Sequence, residues 1–60
     1  MDYDSIFEAL SEIVGDLYET KTELENLIKE IDDPMTKRQL GSARVDLEAA
    51  MSHIEKTGLI

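Results

Sequence analysis

The sequence predicts an all-α fold: an antiparallel two-helix hairpin that assembles into a homo-oligomeric helical bundle. Three observations predict it. Leu10, Leu17, Leu24 and Ile31 recur every seven residues, a spacing that keeps side chains on one helical face. A second such line, Leu40, Leu47 and Ile54, follows the break at Asp32-Asp33-Pro34. The apolar face of the first segment is also three rows wide. Ile6, Ile13, Thr20 and Leu27 run on one side of its central line, and Phe7, Val14, Lys21 and Ile28 run on the other. One helix–helix contact needs less than this. One seam takes the second helix of the same chain, and the other is left for another molecule.

The elements follow in order. Met1 to Asp4 reads as a short, partly ordered lead-in. Ser5-Ile6-Phe7-Glu8 fits a capping box, with Ser5 as the N-cap and Glu8 reaching back. Helix 1 is expected over about 5–31, its outward face carrying Glu8, Glu12, Asp16, Glu19, Glu23, Asn26 and Glu30. The turn is placed at 32–33. Proline disfavours a helical conformation at the residue before it and suits the first position of a new helix, so Asp33 becomes an N-cap. Helix 2 is expected over about 34–56, with Ala43 and Ala50 on one side of its central line and Arg44 and Met51 on the other. The two alanines allow another backbone to approach closely. Thr57-Gly58 supplies the stop.

Sixty residues make one domain, 1–60, near the lower limit for a self-sufficient core. With no cysteine there is no disulfide to compensate, so oligomerisation is the remaining source of stability. The net charge is −8, and it is unevenly spread. Residues 1–33 hold 11 acids and two lysines; residues 34–60 hold three acids and four basic residues. So acidic a first helix repels a phosphate backbone and an anionic bilayer, which argues against general DNA or RNA binding and against membrane binding. The opening Met-Asp-Tyr-Asp lacks the basic residues of a secretory signal, and no apolar run reaches membrane-spanning length. The expected setting is cytoplasmic.

Catalysis finds little to work with. The one histidine, His53, has no cysteine to activate and reads as a partly exposed helix residue. No glutamate stands three residues before it, so the Glu-x-x-His metal pattern of helical bundles is missing. Gly15, Gly41 and Gly58 are isolated and form no phosphate loop. The chain is expected not to be an enzyme, to have no catalytic or metal-binding residues and to need no cofactor.

Where the apolar rows are interrupted is more informative. Lys21 breaks one row at mid-helix, and antiparallel pairing puts Arg44 at the same level. Both side chains can snorkel, aided by Glu25 and Glu48 one turn away. They can also form a pair of cations facing an intersubunit cleft, or a polar layer that fixes oligomer register. Tyr3 continues the Phe7 row backwards, either as a staple on the neighbouring helix or as a ring for a planar ligand. Tyr18 reads as a packing residue at the rim of the stripe. Arg38, nearer the start of helix 2, can add an anion contact. The candidate ligand-binding residues are therefore Tyr3, Lys21, Arg38 and Arg44.

The pattern Arg38-x-Leu40-x-x-Ala43-x-x-x-Leu47-Glu48-x-Ala50 resembles the hairpin domain of phage anti-defence proteins, including the anti-CBASS sponge and a related hairpin of a Thoeris-countering sponge. The match spans 13 residues and the two-helix layout. The family often has a tryptophan where this chain has His53, and its Lys-x-Thr group has no counterpart in Lys21-Thr22. The resemblance implies a non-enzymatic oligomer that sequesters cyclic di- or trinucleotide immune signals in the cytoplasm of an infected cell, with Tyr3 as a candidate ligand contact. The competing expectation is a small acidic four-helix-bundle module that binds or inhibits a protein partner, in one form as a nucleic-acid mimic.

Overall fold

The computed structural model describes residues 2–60, and its two helices, α1 (Tyr3–Glu30) and α2 (Pro34–Glu55), pack against each other as a hairpin. Met1, the first residue of the expected lead-in, lies outside the described residues. The break falls where the sequence places it. Ile31 leaves α1 in an extended conformation, with its N–H donating to the Ile28 carbonyl. Asp33 is the N-cap of α2: its carboxylate accepts from the Thr36 N–H at 2.8 Å and from the Thr36 hydroxyl at 2.6 Å. Pro34 occupies the first turn, where a missing N–H costs nothing. At the far end, Lys56 caps α2 and Gly58 takes φ 73°, left-handed backbone that a side chain would strain.

The start of α1 differs from the expected capping box. Asp2, not Ser5, is the N-cap, and its side chain accepts from the Ser5 N–H at 2.8 Å. Ser5 is thus inside the helix, and Tyr3 and Asp4 are helical rather than part of a lead-in. Aspartate caps as well as serine and brings a full negative charge to the positive helix end, so the earlier of two competent caps adds a turn of helix.

The central lines meet in the seam. Leu10, Leu17, Leu24 and Ile31 on one side and Leu40, Leu47 and Ile54 on the other are all partly covered. None is fully buried, and no described residue is. The reason is geometric: the molecule measures 47 × 16 × 13 Å, so it is one helix thick. Its accessible surface is 4682 Å², against about 4,000 Å² for a compact chain of this mass. Its radius of gyration is 14.3 Å, where a compact chain of this length would have about 10 Å. The row of α1 left spare is Ile6, Ile13, Thr20 and Leu27, of which Ile13 is 47% exposed and Leu27 51%; Phe7, on the other row, is 51% exposed as well.

The caps predict a pH dependence. Hydrogen bonds from the Thr36 hydroxyl and N–H hold the Asp33 carboxyl below the ordinary aspartate value near 3.8. A lowered pKa in the folded state means that the stabilisation is fully present at neutral pH and is lost as pH falls through the lowered value. Asn at position 33 still caps but is not charged. Asp33→Asn is therefore expected to lower the melting temperature at pH 7, with the difference from the native chain shrinking towards pH 2. Thermal unfolding followed by circular dichroism checks this; a difference independent of pH would assign the cap no charge contribution.

Candidate functional site

The hairpin has two broad faces, set by the 3.6-residue repeat. The spare row of α1 and the Ala43–Ala50 row of α2 lie on the same side of the seam. The row of α1 that holds Lys21 and the row of α2 that holds Arg44 lie on the other. There Lys21 and Arg44, which interrupt the rows, converge on one carboxylate oxygen: Glu48 Oε1 is 2.7 Å from Arg44 Nη1 and 3.5 Å from Lys21 Nζ. Glu25 Oε1 stands 4.0 Å from the same ammonium. Lys21 Nζ also lies 5.4 Å from the centre of the Tyr18 ring, within cation–π range.

Each helix positions its share by simple spacing. Glu48 follows Arg44, and Glu25 follows Lys21, by four residues, one turn along the same face. Tyr18 precedes Lys21 by three, which places its ring beside the lysine stem. Antiparallel packing then closes the group across the seam through Lys21 and Glu48. The Lys21 side chain is only 20% exposed, so its charge is partly desolvated, and the surrounding acceptors offset that cost. The arrangement corresponds to paired snorkelling cations and also forms a polar layer across the seam. Glu48 occupies the position that an anionic ligand would take between the two cations. The role of Tyr18 as a cation–π partner was legible only in its spacing from Lys21.

Tyr3 and Arg38 do not join this group. Tyr3 sits in the first turn of α1, 78% exposed. It is 18 residues from Lys21, roughly 27 Å along the helix at 1.5 Å per residue. Arg38 is exposed near the start of α2, on the side away from the seam, and its carbonyl accepts from the Ser42 hydroxyl at 3.3 Å. Within one hairpin, then, the four candidate residues form one central pair and two separate outliers. Among the described residues no enclosed cavity occurs, and no three His, Asp or Glu side chains converge as a metal site. No helix among them is long and apolar enough to cross a membrane.

Removing the shared acceptor should cost more than removing what it binds, because two partly covered cations then face each other with only Glu25, beside Lys21, left to offset them. Glu48→Gln is expected to lower the urea midpoint. Adding Lys21→Met to that variant should recover most of the loss. Urea titration of the two variants decides; an unchanged midpoint in Glu48→Gln would show that the ion pairs contribute nothing to stability.

Comparison with protein-family models, with curated proteins and with solved structures returns no match.

Proposed function

We propose that this protein is a non-enzymatic binding protein that works as a homo-oligomer of hairpins and sequesters a cyclic nucleotide signal. The observation that supports this most is the hairpin in which no described residue is fully buried and a row of aliphatic side chains is left open. A helix buries its stripe against another element, and a stable domain needs more than one layer of them. On this reading the second layer comes from another copy of the chain, and closed symmetry makes a dimer or a multiple of one the expected assembly.

The ligand class rests on the likeness of α2 to the phage sponge hairpin and on the chemistry of Lys21 and Arg44. A phosphate could replace Glu48 between these cations, with bidentate hydrogen bonds from Arg44. Arg38 and Tyr3 would reach the same ligand only from neighbouring subunits, the arginine as a further anion contact and the ring stacked on a base. Sequestration of such a signal would take place in the cytoplasm, and in the host's cytoplasm for a phage-encoded protein.

A second reading is favoured by one observation. Glu8, Glu12, Asp16, Glu19, Glu23 and Glu30 form an exposed acidic face on α1, interrupted at Asn26. Such a face suits a basic site on a protein partner, and a bundle carrying several copies of it would resemble the charge of a nucleic acid.

Sedimentation equilibrium at micromolar concentration is expected to give a multiple of 6.8 kDa; a well-folded monomer would sink the assembly reading. Thermal-shift measurements with cyclic di- and trinucleotides should raise the melting temperature, and ligand recovered after denaturation should be intact. A linear product formed in proportion to protein would make the chain an enzyme. An oligomer that no cyclic nucleotide stabilises would instead favour the protein-partner reading. Lys21→Met and Arg44→Met, made singly, are each expected to keep the oligomer and weaken nucleotide binding by about 1.5–3 kcal/mol, the range for a lost charged hydrogen bond.

A further inference from the structure

The open face of the hairpin has a composition that says what covers it and in which orientation. It is two-toned. On the α1 side stand large aliphatic residues, Ile6, Ile13 and Leu27, with Thr20 between them. On the α2 side stand two small ones, Ala43 and Ala50. A ridge of large side chains packs closely over a row of small ones, whereas two large ridges hold the helices apart.

Charge points the same way. The α1 half of the chain holds 11 acids and two lysines, and the α2 half three acids and four basic residues. Helices in contact lie about 8–10 Å apart, and the screening length in physiological salt is about 8 Å. Two α1 helices side by side would therefore repel along their length. An α1 helix beside a partner's α2 would not.

We infer that this face binds a second copy of the same chain, with α1 of each protomer lying antiparallel on α2 of the other and the two-fold axis running along the bundle. The inference rests on the oligomeric reading above and adds the face, the neighbour and the symmetry axis to it. Rotation about an axis parallel to the helices leaves every residue at its own height. The turn at 31–33 pairs residue numbers summing to about 64 in the antiparallel hairpin. The partner's Ala43 then stands near Thr20, and its Ala50 near Ile13, so each small residue meets the aliphatic row. All four neighbouring helix pairs are antiparallel, as in an up-down bundle. The area is also adequate. The surface beyond that of a compact chain is roughly 700 Å², close to the ~800 Å² that each partner buries in a standard interface. The face carrying Lys21, Arg44 and Glu48 is left outside this contact, so a Tyr3 brought to it would come from a further pair of hairpins packed on this second face.

The alternative symmetry, with the axis across the helices, would put α1 on α1 and bring Thr20 towards Ile13 of the other copy. The chain has no cysteine, so introduced ones report without interference. Thr20→Cys, Ala43→Cys and Ile13→Cys are made as single variants, mixed in pairs through unfolding and refolding, and oxidised. Mass spectrometry then identifies the linked chains. The expected result is a dominant disulfide joining position 20 of one chain to position 43 of another, with little linkage of 20 to 20 or 20 to 13. Dominant 20–13 or 20–20 linkage would overturn the arrangement while leaving the oligomer intact. Absence of every link in a sample that sediments as an oligomer would overturn it by placing the contact on another face. A sample that sediments as a folded monomer would remove both this inference and the oligomeric reading on which it rests.

Discussion

Everything in this molecule depends on the fact that a pair of helices makes only one layer. Each helix can give its neighbour one stripe, and here α1 has a stripe broader than α2 can cover. The chain has no disulfide with which to compensate. What remains is a hairpin whose seam is half wet and whose surface exceeds that of a compact chain of its mass. The acidic outer face, the polar layer and the spare aliphatic row all take their meaning from that shortage of cover.

Within the seam, the middle is the least expected place for charge. Leucine or isoleucine at position 21 would bury more apolar surface than lysine does. Lys21 and Arg44 instead gather around a single oxygen of Glu48, and Tyr18 and Glu25 complete the surroundings of the ammonium. Such a layer adds little net stability, since charges removed from water roughly cancel their mutual attraction. It does disfavour sliding of α1 along α2, because a shift of one turn would part Lys21 from Glu48, the one ion pair of the group that crosses the seam. Register and anion chemistry thus draw on the same few side chains.

The sequence made the hairpin legible through features that act locally. Heptad-spaced leucines, and an aspartate before a proline, act within a few residues, and no distant contact is needed to read them. The first cap was harder, since Asp2 and Ser5 are both competent and the choice depends on whether Tyr3 and Asp4 can extend the helix. The Lys21–Arg44 level was legible because antiparallel pairing through a short turn fixes which residues face each other. Tyr3 and Arg38 show where such reading ends. Their separation from the central pair follows from helix length, and only another copy packed on the Lys21 face would bring a Tyr3 back to it. The ligand is further out of reach, because cations that suit a phosphate suit a glutamate equally well.

The three-residue connection between the helices has a consequence in time. A chain of two helices forms most of its contacts between residues close in the sequence, and such chains fold in microseconds to milliseconds. Under the proposed assembly, covering the spare row is a different kind of event: the second copy must arrive by diffusion, so that step slows as the protein is diluted. Mass action would then make the stability of the hairpin rise with the concentration of the copy that covers it. Abundance, rather than any change in the chain itself, would then set how much of the protein stands in its finished form.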